Sequence, residues 1–324
     1  MVNVAVMGLG SIGLRHARNL IAMGESVVGF DPAPERRAAL EAAGGRPVES
    51  REDVLQGVAA AVVASPNGAH LSDLDAAINA GCHVLVEKPI AHTSDGLGAL
   101  LAKAENTQRV IFVAQNLRLH PAVMRAKTRL TNGGAGDVLW ARALAVSYLP
   151  HWRPHQDYRL NYAADPLTGG AVFDFIHEFD LLAHLLGPFS ALAATARRTG
   201  QLDIAAEDSV DALVRHAGGT VSSLHLDFST RPAQRVTEIG TSEGVLTIDI
   251  LARTFEWRGH DGTQREYEAF PGRHEDEYVT EMKCFLACIA GEATPPCDGW
   301  EGAAILDQVL TLRRLAGLPE GSRR

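Results

Sequence analysis

The sequence predicts an α/β protein, with a doubly wound parallel sheet over residues 1–120 and an α+β domain with a largely antiparallel sheet over 121–324. Three observations carry this. Short apolar runs alternate strictly with helical stretches through about residue 120, the rhythm of βαβ units. The glycine fingerprint Gly8-Leu9-Gly10-Ser11-Ile12-Gly13 joins the first such run to the first helical stretch. After Pro121, strand-like runs follow one another with only turn residues between them, and neighbours that close pair as antiparallel hairpins.

In the first half, strands are expected at 2–7, 26–30, 60–64, 83–86 and 110–114, with helices at 12–23 and 94–106. A helix over 121–130 and a strand over 138–147 open the second half. One long helix is expected over 171–186, then strands at 191–198, 209–215, 221–228, 235–240 and 245–249, separated by turns such as Ala217-Gly218-Gly219 and Ser242-Glu243-Gly244. Helices over 275–290 and 301–315 close the chain.

Composition narrows the partner. The 46% hydrophobic and 21% charged fractions are those of a globular protein, and a formal net charge of −9 argues against nucleic acid or anionic membrane. A small molecule is therefore the expected ligand. Cys82, Cys284, Cys288 and Cys297 show neither C-x-x-C nor paired-histidine spacing, so no metal site and no disulfide framework is expected. The chain opens directly on a strand-like run, and no apolar run is long enough to span a bilayer, so a cytoplasmic location is the expectation.

In the fingerprint, Gly8 permits a tight turn, Gly10 lets the backbone approach a pyrophosphate, and Gly13 allows close helix–strand packing. The N–H groups of Ser11, Ile12 and Gly13 open the helix and face the phosphates. Asp31 ends the second strand 18 residues after Gly13, near the spacing of the acid that takes the adenosine ribose. Such a carboxylate repels a 2′-phosphate and favours NAD over NADP. Arg36 and Arg37 read first as the solvated face of the next helix, yet they leave NADP open. Ser65-Pro66-Asn67 is either a simple turn or a contact on the nicotinamide side. Lys88, in Glu87-Lys88-Pro89, is held extended by the following proline, so it projects from the carboxyl end of its strand, the ligand-binding edge of such sheets.

Downstream, Gly169-Gly170 leads a helix on which Asp174, His177 and Glu178 share one face. His177 suits proton transfer near neutral pH, and Asp174 is placed to orient it. The segment Tyr148-Leu149-Pro150-His151-Trp152-Arg153-Pro154-His155-Gln156-Asp157-Tyr158-Arg159 is either a proline-rich surface connection or a loop that stacks on a sugar and clamps an anion. On the second alternative Tyr148, Trp152, Arg153 and Tyr158 touch substrate, with Arg118 and His120 nearby. Cys284 and Cys288, four apart, read as core helix contacts.

Together these residues resemble the glucose-fructose oxidoreductase/inositol dehydrogenase (Gfo/Idh/MocA) family. The resemblance rests on Gly8-x-Gly10-x-x-Gly13, Ser65-Pro66-Asn67-x-x-His70, Glu87-Lys88-Pro89, Asn116-Leu117-Arg118-Leu119-His120-Pro121 and the helix bearing Asp174 and His177. It implies a Rossmann domain binding NAD, with Asn67, His70, Glu87, Lys88 and Asn116 on the cofactor side. It implies proton transfer by Lys88 and His177, supported by Asp174, a cis bond before Pro89, a sugar-like substrate and homo-oligomers built through the second sheet. Asp174 and His177 stand three apart where the family usually has four, which changes the hydrogen-bond direction. The Asp-x-x-His-Glu form, with Tyr-Leu-Pro-x-Trp-Arg-Pro, is similar to members encoded with bacterial nonulosonic sugar pathways. A non-catalytic NAD sensor, or an enzyme that recycles its NAD during elimination or hydrolysis, stays open beside a dehydrogenase.

Overall fold

A computed structural model describes residues 2–319. Along the first part run β1 (Asn3–Met7), α1 (Ser11–Ala22), β2 (Ser26–Phe30), α2 (Pro34–Ala42), β3 (Arg46–Pro47), α3 (Arg51–Val54), β4 (Ala60–Val63), α4 (His70–Asn79), β5 (His83–Val86), α5 (Leu97–Asn106) and β6 (Ile111–Val113). The six strands form one parallel sheet in the order β3-β2-β1-β4-β5-β6, the doubly wound order whose direction reverses beside β1. Parallel strands covered on both faces must be apolar throughout, and β4, Ala-Ala-Val-Val, is buried at every position.

The remaining elements are α6 (Pro121–Thr131), β7 (Val138–Val146), α7 (Ala171–Asp174), α8 (Ile176–Leu186), β8 (Phe189–Arg197), β9 (Ser209–His216), β10 (Val221–Asp227), β11 (Gln234–Thr241), β12 (Gly244–Asp249), β13 (Thr254–Gly259), β14 (Gln264–Ala269), α9 (Glu275–Ile289) and α10 (Gly299–Leu315). The second sheet has eight strands ordered β14-β13-β12-β11-β7-β10-β9-β8, antiparallel except for β7 with β10. Its strands alternate as half-covered strands do: in β9, Val210, Ala212 and Val214 are buried while Asp211, Leu213 and Arg215 are exposed. Helices α6, α7 and α8 lie against this sheet. The cross-strand row of Arg215, Val221 and Trp140 lies on the exposed face.

The chain divides into two compact units, Met1–Asn116 with Arg273–Leu306, and Leu117–Gly272 with Asp307–Arg324. Residues 273–306, read from the sequence as part of a second domain over 121–324, group with the first unit. Their side chains explain the grouping. Met282, Phe285 and Cys288 of α9 share a buried core with Val4, Val6, Leu20 and Leu85, and Phe285 meets Phe112 edge-on at 5.9 Å. Gly299 and Gly302 let the start of α10 lie against β6, since a Cβ there would stand 2.5 Å from Leu101 and 2.6 Å from Val113.

Two further differences have physical reasons. Strands β13 and β14 were not anticipated; β14, Gln-Arg-Glu-Tyr-Glu-Ala, is a mostly exposed, charged edge strand without an apolar alternation to read. The helix expected over 171–186 is broken at Phe175, whose φ of −91° and ψ of 27° separate α7 from α8. All four cysteines are unbridged, and no helix among the described residues is long and apolar enough to cross a membrane.

Removing the Phe285 ring should lower unfolding free energy by about 3–5 kcal/mol. Tyr267→Ala on the exposed edge of β14 should cost less than about 0.5 kcal/mol. Urea titrations of both variants check this, and equal midpoints would show that α9 is not core.

Candidate active site

The loop from β1 into α1 is shaped by crowding. Gly8 has φ of +89°, and a Cβ there would lie 2.6 Å from the Ala64 carbonyl oxygen and the Ser65 nitrogen. A Cβ on Gly13 would stand 1.8 Å from the Gly8 carbonyl oxygen. Gly10 differs: its Cβ would meet nothing nearer than Arg36 at 3.9 Å. Two glycines are thus required by the protein's own packing, while the third leaves open space in front of the helix start. Gly10 is the N-cap and offers no side chain to the leading N–H groups of Ser11, Ile12 and Gly13, which no helix can satisfy internally. Together with the dipole, they form an anion cradle.

Asp31 is buried at the end of β2. It accepts hydrogen bonds from the Leu9 nitrogen at 2.8 Å, the Ala33 nitrogen at 2.9 Å and the Arg36 guanidinium at 3.2 Å. One carboxylate therefore joins the fingerprint loop to the second strand. Arg36, half exposed, covers it from the solvent side. Arg37 donates to the Asp31 and Pro32 carbonyls and pairs with Glu49, so neither arginine is merely a solvated helix residue.

At the ends of β4 and β5 a second group of residues is fixed. Ser65 donates to Asp73 at 2.5 Å. His70 is buried, with Nδ1 2.8 Å from the Pro89 carbonyl and Nε2 2.8 Å from the Ser65 carbonyl. Burial holds its imidazole below the ordinary range against those carbonyls, so a neutral ring donates to one of them at a time. The geometry gives His70 the task of tying the Ser65–Asn67 turn to Pro89. The Lys88–Pro89 bond is cis, as the resemblance implied, and Lys88 is half-buried beyond β5. Glu87 reaches His16 on α1 at 2.7 Å. Asn67 is buried in a 3-10 turn, and the buried Asn116 Nδ2 has no hydrogen-bond partner. The open space at Gly10, the free helix-start N–H groups, Asp31 and the orphaned Asn116 amide fit a dinucleotide.

In the second unit, the Gly169-Gly170 pair is forced by its neighbours. A Cβ on Gly169 would stand 2.1 Å from the Tyr162 carbonyl, and one on Gly170 2.2 Å from the Glu207 carboxylate. Glu207 accepts from the Val172 nitrogen and from Arg313, and burial pushes its carboxyl up to about 7 against the pull of Arg313. Asp174 ends α7 and accepts from the Tyr162 hydroxyl at 2.6 Å; His177 lies in the first turn of α8, beyond the Phe175 break. The expected single helical face is therefore two short segments at a bend.

Several of the expected substrate contacts have partners within the unit. Arg118 is buried and paired through two nitrogens with Asp180, and Glu178 is buried and paired with Arg235 at 2.6 Å. A helical register cannot reveal such partners, because the other residue comes from elsewhere in the unit. Tyr148 carries the Arg231 guanidinium over its ring at 3.8 Å. Trp152 donates to Ser147 and packs edge-on against Phe228 and Phe175, yet more than a third of it stays exposed. Arg153 is half-buried, and the Tyr158 hydroxyl accepts from the Asp203 nitrogen. Tyr162, Arg235 and Arg231 gave no sequence signal as site residues.

Residues 2–115 match the oxidoreductase family with the NAD-binding Rossmann fold, and residues 123–247 match the GFO/IDH/MocA C-terminal domain. The chain belongs to the Gfo/Idh/MocA oxidoreductase family. As a member of this family it is an NAD-dependent oxidoreductase acting on CH–OH groups. It is 28% identical to the 1,5-anhydro-D-fructose reductase of Ensifer adhaerens over 86% of this chain and 85% of that one. It is 26% identical to the UDP-N-acetylglucosamine 3-dehydrogenase of Acidithiobacillus ferrooxidans over 96% of each. A levoglucosan dehydrogenase solved with NADH and levoglucosan shares the fold, with a TM-score of 0.88 and 20% identity over 98% of this chain and 97% of that one.

The contrast among the glycines sets a test for this Gfo/Idh/MocA protein. Gly13→Ala should lower the melting temperature, because the methyl collides with the Gly8 backbone. Gly10→Ala should leave it nearly unchanged while weakening NAD about tenfold or more, equivalent to 1.4 kcal/mol. Thermal melts with fluorescence titration of NADH measure both, and unchanged affinity in Gly10→Ala would contradict the cradle.

Proposed function

We propose that this protein oxidises a secondary hydroxyl of a sugar or sugar derivative, or reduces the matching ketone. The observation that carries the reading is Lys88, fixed at the end of β5 by the His70 strut, on the sheet edge that bears the dinucleotide cradle. Bound NAD supplies the hydride acceptor. Lys88 Nζ takes the hydroxyl proton in oxidation and returns it in reduction. His177 is the second proton-transfer group, with Asp174, held by Tyr162, as its orienting acid.

For substrate class we favour a sugar carrying a charged or nucleotide group. Trp152 offers an exposed aromatic face and Arg153 a cation, which suits stacking on a ring and pairing with an anion. The UDP-sugar dehydrogenase among the relatives supports this, and nonulosonic-pathway sugars are one such class. A diffusible dinucleotide cofactor supports action in the cytoplasm. We also propose homo-oligomers through the exposed face of the second sheet, where Trp140, Val221 and Leu213 are open. Light scattering of the purified protein tests this, and a monomer at micromolar concentration would overturn it.

Turnover should be sought by nicotinamide absorbance over inositols, free sugars, sugar acids and UDP-sugars. On the best substrate, Lys88→Ala and His177→Ala should each lower kcat about 10²–10⁴-fold with NADH binding retained. Full turnover in Lys88→Ala would sink the assignment.

A further inference from the structure

Beneath the Glu87-Lys88-Pro89 turn the first unit buries three titratable groups from three elements: His16 on α1, Glu87 after β5 and Glu281 on α9. His16 and Glu281 are fully buried. One ligand atom from each lies within 4.8 Å of the other two. His16 Nε2 donates to Glu87 Oε1 at 2.7 Å, and the Lys88 backbone nitrogen donates to the other oxygen of the same carboxylate at 3.3 Å. Glu281 points into the group with both oxygens buried and without a hydrogen-bond partner.

We propose that Glu281 is a positioning residue for Lys88, acting through the His16–Glu87 pair. This rests on the reading of Lys88 as the proton-transfer group. A buried carboxyl with no partner is costly as an anion. Burial and the Glu87 charge push Glu281 well above the usual carboxylate range. Burial also acts to raise Glu87, but the hydrogen bond and charge of His16, with Lys88 and His70 nearby, outweigh it and hold Glu87 low. Of the two carboxyls, Glu87 is thus favoured as the carboxylate and Glu281 as the acid. Neutral Glu281 carries an O–H, and the Glu87 carboxylate is near enough for a direct bond after a small rotation or for one bridging water. Glu87 is then held from two sides, and the turn bearing Lys88 with it. The ring of Tyr278, edge-on to His16 at 6.0 Å and covered by Arg15, closes the group from α9.

A divalent cation held by the same three residues is the competing account. Two ligands of one tetrahedral ion at about 2.0–2.1 Å from it stand roughly 3.3 Å apart. The 2.7 Å between His16 and Glu87 is instead a hydrogen-bond distance.

The test uses the full chain with saturating NADH and follows acetylation of Lys88 by acetic anhydride between pH 7 and 10, read by peptide mass spectrometry. Glu281→Met removes the O–H at similar volume and should change the Lys88 rate at least threefold at one or more pH values, without altering labelling of Lys103 or Lys127. Glu281→Gln keeps a donor and should restore the wild-type profile. On the best substrate, Glu281→Met should lower kcat more than it raises KM. If Glu281→Met does not fold, His16→Asn loosens the same carboxylate and should shift the profile likewise. A wild-type profile in Glu281→Met, failure of Glu281→Gln to restore it, or a stoichiometric metal lost in Glu281→Gln would each overturn the proposal. Labelling needs no turnover, so it stands apart from the Lys88→Ala assay that tests the reaction itself.

Discussion

The nucleotide half of this protein hangs on one buried carboxylate. Asp31 accepts from the Leu9 nitrogen inside the glycine fingerprint and from the Ala33 nitrogen at the start of the next helix, so it sets where the loop after β1 lies against the end of β2. Two backbone N–H groups and the Arg36 guanidinium hold the carboxylate in this place. The same charge that anchors the loop is the one a ribose diol would meet and a 2′-phosphate would oppose. A single group therefore carries both the position of the loop and the proposed preference for NAD.

Around that anchor the glycines are selected by contact. Gly8 and Gly13 approach Ala64 and each other's backbone so closely that any side chain would push β1 from β4. The second unit repeats the device: Gly169 and Gly170 let α7 start against Tyr162 and Glu207. Asp174 is thereby brought to Tyr162, and the bend at Phe175 turns His177 into a new helix. Backbone crowding sets the location in both units, and buried ion pairs such as Arg118–Asp180 and Glu178–Arg235 hold it.

Much of this was legible in the residues. The strand rhythm, the fingerprint with Asp31 and the Glu87-Lys88-Pro89 turn are local patterns, and local patterns survive folding. What was not legible depends on distant partners. Arg118 and Glu178 stand in the sequence without any sign of Asp180 and Arg235, the partners that pair with them. Helix α9 reads as part of the second domain until its apolar face is found beneath the first sheet's core. The unusual spacing of Asp174 and His177 was visible as a number, but its meaning, a bend and not a different face of one helix, needed the dihedral angles of Phe175.

A carboxylate-anchored cradle that selects NAD is what the proposed sugar chemistry on Lys88 requires. Paired fluorescence titrations of NADH and NADPH against the wild-type protein and Asp31→Ser measure that selection. NADH should bind the wild-type chain at least tenfold more tightly than NADPH, with that margin narrowed in Asp31→Ser. Equal or tighter binding of NADPH by the wild-type chain would rule out selection by Asp31.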